Sequence, residues 1–305
     1  MEKLTAGIIR DWASGTVGWW TTRQLDEDLE VGSPEGKNVR RVSLHRMCQD
    51  GAIEKHPHQE GKYRYIRKDY HKLNPKADPG NVLSLHWPYA REDGTSFGLN
   101  RVKIYPKSVI VLAGVSNACK TAWCLNFLVE NMEHHHCMYM TNELSDEEFV
   151  DRMSNFEWAE LTNGDGEWKF DAVEHFENYH DILQPDAVNI IDYLDPGENP
   201  YYIGVLIDQI RQKLNKGIAV IAIQKRITSW IDKEGNKKYS YAEYGTGGQY
   251  SEHRARLVLH FDPTEDHHYT MLIKKSKVYG LNGRRFKFDI IKNGSTFHHI
   301  EEMEE

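Results

Sequence analysis

The chain has 305 residues, 39% of them hydrophobic and 28% charged, with a formal net charge of -8. That length suits one large domain plus a small one, and the acidic balance excludes a protein that coats nucleic acid by bulk charge, though not a local basic surface. No apolar run approaches the roughly 20 residues a membrane-spanning helix needs, and residues 1–10 carry no signal-peptide pattern. The four cysteines, Cys48, Cys119, Cys124 and Cys137, show no CxxC spacing and read as free thiols, so a cytoplasmic protein with no membrane partner is expected.

In chain order, residues 5–66 read as short helices followed by a hairpin. Residues 6–12 are apolar-periodic, and Thr21 or Thr22 is placed to cap a helix through Leu25 and Leu29. Ser33-Pro34-Glu35-Gly36 reads as a turn, and 38–49 as a third helix with Asn38 as N-cap and Val42, Leu44 and Met47 inward. Two strands joined by a polar tip follow, at 51–55 and 61–66. The Trp19-Trp20 pair reads as packing for this small domain.

From Val109 onward short apolar strands alternate with amphipathic helices, which predicts a mostly parallel sheet with helices on both faces. Strands are expected at 109–113, 137–141, 188–193, 219–223, 257–261, 269–274 and 284–291, and helices at 120–132, 146–156 and 201–215. Residues 71–103, punctuated by Pro75, Pro79, Gly80 and Pro88, read as linker and lead-in.

The strand at 109–113 runs into Gly114-Val115-Ser116-Asn117-Ala118-Cys119-Lys120-Thr121 and then a helix, the context a phosphate-binding loop requires. In such a loop the backbone N–H groups and the helix N-terminus surround phosphate. Gly114, Ser116, Asn117, Ala118, Cys119, Lys120 and Thr121 are therefore the candidate ATP contacts. Lys120 is expected on the β- and γ-phosphates, and the Thr121 hydroxyl on Mg²⁺. Cys119 stands where the motif has its second glycine. If the position requires positive φ, a Cβ there costs roughly 1–2 kcal/mol, which weakens nucleotide binding by about a factor of 10. A thiol beside the loop also raises the prospect of oxidation sensitivity.

Two resemblances sharpen this. The phrase LHRMCQDGAIEKHPHQEGKYRYI resembles the recognition helix and wing of winged helix-turn-helix domains, which implies that Arg40, Arg41 and Arg46, with Lys55, Lys62 and Arg64 on the wing, contact duplex DNA. Protein contact or an oligomerisation arm is the alternative use of that fold. From residue 104 to about 291 the chain resembles the ATPase domain of DnaB-type replicative helicases and their RecA relatives. The likeness rests on four landmarks in order: the phosphate loop, YMTNELSDEEFVDRM, AVNIIDYLD and GIAVIAIQKR. It implies that Glu143 polarises the attacking water, Asp192 holds Mg²⁺ with Thr121, and Gln224 senses the γ-phosphate. Asp195 is a further candidate beside Asp192, and Lys225 and Arg226 are candidates for phosphate or DNA.

The segment YGTGGQYSEHRARLVLHF resembles the mobile channel-facing loop and the strand after it, and residues 229–249, with Lys233, Lys237 and Lys238 among Tyr239, Tyr241 and Tyr244, suit single-stranded DNA, a solvated loop being the alternative. The segment LIKKSKVYGLNGRRFKFDII resembles the terminal hairpin whose Lys and Arg enter a neighbour's ATP site, and Lys275 and Lys277 match best, with Lys277 in place of arginine. Arg284 and Arg285 are alternatives to them.

The expected fold is thus an α/β RecA-like core with a small N-terminal winged-helix domain. The expected organisation is 1–70 winged helix, 71–103 linker and 104–305 ATPase domain. The expected function is that of an oligomeric, DNA-associated, helicase-like ATPase of replication or recombination. The alternative is a slow or non-hydrolysing, nucleotide-gated DNA-binding or loader protein of a phage or mobile element. The clusters His134-His135-His136-Cys137, His267-His268 and His298-His299 read as surface residues rather than metal sites, and the tail 301–305 as a frayed acidic end.

Overall fold

Thr5, Thr21 and Ser33 each accept a backbone N–H three residues on and so start the first three helices. These are α1 (Ala6–Gly15), α2 (Thr22–Asp28), which follows β1 (Trp19–Thr21), and α3 (Pro34–Gln49). β2 (Ile53–Lys55) and β3 (Lys62–Tyr65) complete an antiparallel sheet of order β1-β3-β2. Its core holds Ile9, Trp20, Leu25, Leu44, Met47 and Ile53. Two expectations are corrected. Residues 33–36 are not a free turn, because Ser33 is the cap and Pro34 occupies the first helical turn, where its missing N–H costs nothing. Asn38 is therefore interior to α3.

The computed structural model describes residues 4–68, 70, 72–231, 233 and 237–304. The chain divides into two units, Met1–Ala77 and Asp78–Glu305. The expected lead-in is therefore split. Trp87, Ala90, Phe97, Leu99 and Val102 are buried in the main core of the second unit, where Phe97 meets Phe286, Phe288 and Phe297 edge-on. Residues 78–103 are part of that unit because their aromatic and aliphatic side chains complete its core.

The second unit is a mixed α/β fold with a mostly parallel central sheet. In chain order it contains β4 (Val109–Gly114), α4 (Lys120–Asn131), β5 (Cys137–Thr141), α5 (Asp146–Ser154), β6 (Asp171–Glu174) and α6 (Tyr179–Ile182). There follow β7 (Val188–Asp192), α7 (Ile203–Lys213), β8 (Ile218–Ile231), β9 (Lys237–Gly245), β10 (Leu257–Pro263), β11 (Tyr269–Lys275), β12 (Arg285–Ile291) and β13 (Thr296–Met303). The strand order is β13-β12-β11-β10-β4-β8-β7-β5-β6, with β9 paired to β8. The pairings from β10 through β6 are parallel, and those of β11, β12 and β13 are antiparallel.

β4 shows why the sheet lies inside. Val109 and Val111 face one core with Ile203, Ile207 and Ile210 of α7, and Ile110 and Leu112 face the other with Trp123 and Phe127 of α4. A strand covered on both faces needs the unbroken apolar run seen at 109–113.

Two further differences stand out. β8 does not stop near Ile223 but leaves the parallel sheet and pairs with β9, so the expected mobile loop is largely an antiparallel hairpin. Residues 232 and 234–236 lie outside the described residues. Glu301 and Glu302 belong to β13 and are not frayed, because Glu302 is paired with Arg284 and Glu301 stands opposite Lys287. Glu305 lies outside the described residues. No helix among the described residues is long and apolar enough to cross a membrane.

Candidate functional site

Because β4, β8, β7 and β5 are adjacent and parallel, their carboxyl ends lie along one edge of the sheet, where open α/β folds place their ligands. This edge carries the phosphate loop after β4, Gln224 in register with Gly114, Asp192 at the end of β7 and Glu143 just beyond β5. Gly114 is required by a close approach, since a Cβ there would stand 2.8 Å from the carbonyl oxygen of Phe261.

The loop opens on a cleft of about 380 Å³ lined by Ser116, Asn117, Ala118, Cys119, Lys120, Thr121 and Glu143. Arg152, Tyr269 and the turn 290–294 form the rest of its wall. Sequence reasoning missed these. The legible signal was Asn293-Gly294, a pair suited to left-handed backbone, and Lys292, Asn293 and Gly294 have φ of 50°, 52° and 98°. Asn126 of α4 donates to the Gly294 carbonyl at 2.8 Å and so fixes this turn against the loop's own helix.

Lys120 is buried and donates to the Val115 carbonyl at 2.8 Å. Burial lowers its ammonium pKa, and Asp192 and Glu143 oppose that. Asp192 is fully buried and accepts from the Tyr139 hydroxyl at 2.8 Å. Burial raises its carboxyl, while Tyr139 and the Thr121 hydroxyl hold it down. Its Oδ1 has no hydrogen-bond partner among the described residues. An orphaned carboxylate oxygen beside a threonine hydroxyl is an all-oxygen donor set of the kind Mg²⁺ takes, so these residues fit the ion. Glu143 faces the cleft, and desolvation together with Asp192 pushes its carboxyl above the ordinary range. The Oε1 of Gln224 is also buried without a partner among the described residues.

Cys119 has φ 67°, so the position is left-handed. Its thiol is not an activated one, because burial pushes its pKa up against Tyr269 and Lys120. That argues against the expected oxidation sensitivity.

Several predicted residues stand apart from the cleft. Lys275 donates to the Glu252 carbonyl at 2.6 Å, and Lys277 is exposed on the turn after β11. Lys225 is buried in an ion pair with Asp262 at 2.7 Å, which removes it as a phosphate or DNA contact. Arg40 is committed to Asp26 and so is not a free surface cation. Arg41 and Arg46 are exposed on α3, and Lys62 donates to Gln59 at 2.9 Å. Lys237 lies 5.3 Å from the Tyr239 ring, and Lys238 pairs with Glu265 at 3.3 Å.

The histidines at 134–136 do not converge on a metal site: His135 bonds the Ser84 carbonyl and His136 faces Asp171.

No protein-family model matches the chain, and no curated protein matches it. Among solved structures it is similar to the crystal structure of a KaiC-like protein from the hyperthermophilic archaeon Pyrococcus horikoshii. The identity is 13% and the TM-score 0.49, over 71% of this chain and 99% of that one.

Proposed function

We propose that the unit 78–305 binds ATP with Mg²⁺ at residues 114–121 and hydrolyses it. In this reading the protein is a DNA-associated, RecA/DnaB-like ATPase that works as a homo-oligomer in replication or recombination. One observation carries the nucleotide reading: Lys120, Thr121, Glu143, Asp192 and Gln224 share one sheet edge, with Asp192 Oδ1 and Gln224 Oε1 buried and unpartnered among the described residues.

Each side chain then has a task. Lys120 exchanges the Val115 carbonyl for phosphate oxygen. Thr121 and Asp192 would hold Mg²⁺, which would supply positive charge to offset that of the phosphates. Glu143, with its raised pKa, accepts a proton from the attacking water. Gln224 reads the γ-phosphate. Lys275 and Lys277 do not line their own chain's cleft; exposed Lys277 is available to a neighbour's, and Lys275 would first exchange the Glu252 carbonyl for it.

DNA contact rests on two surfaces, each within one unit. The order α1-β1-α2-α3-β2-β3 supports a winged helix, with exposed Arg41 and Arg46 on α3 facing the duplex. The β8–β9 hairpin carries exposed Trp230, Ile231 and Tyr239 with Lys237, a combination that suits stacked single-stranded bases.

Cys119 favours a second reading, in which nucleotide gates a DNA-binding or loader protein and turnover is slow. A Cβ at φ 67° strains the loop where phosphate must enter. ATP turnover with and without DNA, in the wild type and in Lys120→Ala and Glu143→Gln, separates the two. DNA-stimulated hydrolysis lost in both variants supports the ATPase. Tight ATP binding with turnover indifferent to DNA selects the gated reading, and no ATP binding overturns both.

A further inference from the structure

β12 and β13 do not pair evenly. Lys287 faces Glu301 and Asp289 faces His298, so two steps along β12 match three along β13. The extra residue is absorbed in a bulge at His299, whose φ of 49° is left-handed although it carries a Cβ. In a regular strand consecutive side chains point to opposite faces. The bulge instead brings the His298 and His299 rings to 3.9 Å between centroids.

A third group joins them. Glu92 comes from the turn that Ala90 closes by bonding Thr95, and a bridge from Ala90 to Phe297 holds that turn on β13. Glu92 Oε1 accepts the His299 backbone N–H at 2.8 Å and lies 3.4 Å from His298 Nε2. One donor atom from each of Glu92, His298 and His299 lies within 4.8 Å of the others. Ligand bonds of about 2.0–2.1 Å in a tetrahedron place neighbouring ligand atoms about 3.3–3.4 Å apart, which the Glu92–His298 pair already matches. The Nδ1 of His299 lies 3.2 Å from Asp289 Oδ2, which leaves Nε2 as the nitrogen with a free lone pair. A carboxylate behind a histidine ring is the support that metal-binding histidines carry.

We propose that Glu92, His298 and His299 form a Zn²⁺ site with water in the fourth position, and that Asp289 is the positioning residue for His299. Two nitrogens and one carboxylate oxygen with an open position is a donor set zinc takes. The bound ion ties the turn at 90–95 to β13. Through the β12–β13 hairpin it stiffens the turn 290–294 that walls the phosphate cleft.

The test uses the full chain without an affinity tag, stripped with chelator and titrated with Zn²⁺ by calorimetry, with Mg²⁺ in excess to occupy the Asp192 site. One tight Zn²⁺ per chain is expected, with a rise in melting temperature. Glu92→Gln and His298→Ala are expected to lower affinity at least about tenfold and Asp289→Asn by about 10–100-fold, while a variant with His134, His135 and His136 all changed to Ala binds as the wild type does. His299→Asn keeps a residue that tolerates left-handed backbone, so it loses zinc while melting normally in chelator. Cobalt in place of zinc gives the strong visible bands of a four-coordinate centre in the wild type and not in His298→Ala. Wild-type melting indifferent to Zn²⁺, or affinity unchanged in the Glu92 and His298 variants, overturns the site and leaves an ordinary histidine–carboxylate ion-pair cluster.

Discussion

Tyr139 donates its phenolic hydrogen to Oδ2 of Asp192 at 2.8 Å, from β5 to the neighbouring β7, while Oδ1 of the same carboxylate is buried with no partner among the described residues. Without cation, this is a folded state that bears the cost of desolvating a charge. Asp192→Asn is therefore expected to raise the stability of the nucleotide-free protein at neutral pH by about 1–3 kcal/mol, because the neutral amide has no charge to desolvate. The sign follows from linkage. The folded carboxyl has a raised pKa, so the penalty is complete above that pKa and fades as pH falls and the wild-type carboxyl takes up its proton. Thermal melts of both proteins from pH 8 down to the acid range test this, and Mg²⁺-dependent ATP binding should be lost in the variant.

Glu143→Gln should leave ATP binding intact and lower turnover by about 10²–10⁴-fold, the usual range for a general base. Desolvation and Asp192 raise the Glu143 carboxyl, so the acid limb of the pH–rate profile should sit above the ordinary glutamate range. Rates fall as pH drops through that limb, because only the ionised form accepts a proton. A limb at the ordinary glutamate value would show that neither burial nor Asp192 raises the Glu143 carboxyl in the working protein.

Cys119→Gly removes a Cβ from a residue at φ 67°. Relief of roughly 1–2 kcal/mol predicts nucleotide affinity tighter by up to about tenfold. The sulfur's packing against the main core offsets part of that gain. Equilibrium binding of ATP checks the sign; affinity unchanged or weaker would mean the loop does not hold the strain assigned to it.

Lys225 and Asp262 form a pair with side-chain exposures of 3% and 18%. Lys225→Met leaves Asp262 facing a site with no cation and should cost about 3–5 kcal/mol. Urea unfolding measures it. The double variant Lys225→Met, Asp262→Leu should recover much of the loss, and failure to recover would point to a role for Lys225 beyond this pair.

Trp230→Ala and Tyr239→Ala, on a hairpin where both rings are about half exposed, should each weaken single-stranded DNA binding by about 1–3 kcal/mol if bases stack there. Anisotropy of a labelled oligonucleotide reads this. Folding should be unaffected, and unchanged affinity in both would remove the hairpin from the DNA path.

The sheet edge at the phosphate loop was the most legible part of the sequence, because its residues sit at the ends of apolar strands: Val109 to Ala113 before the loop, Val188 to Ile191, interrupted only by Asn189, before Asp192, and Ile218 to Ile223 before Gln224. What was not legible depends on partners distant in the chain. Phe97 reads as part of a linker until Phe286, Phe288 and Phe297 are seen around it. Glu302 reads as a loose acidic end until Arg284 is seen beside it, and Lys225 reads as a surface cation until Asp262 faces it. Ser33 was misread for a local reason: Pro34 signals a turn and the first helical position equally well. His298 and His299 read as separate surface residues because nothing local announces a bulge.

The cleft wall supplied by Tyr269 and the turn 290–294 has a consequence for biosynthesis. β4, which carries the phosphate loop, lies between β10 and β8, both made later by the ribosome. The loop's far wall, at 290–294, is made later still. A nascent chain that has released only Lys120, Glu143 and Asp192 has the chemistry of the site but no vessel for it. A chain must therefore extend past residue 294 before the cleft is walled, and a message broken shortly before codon 290 yields a product that carries the motif without that wall.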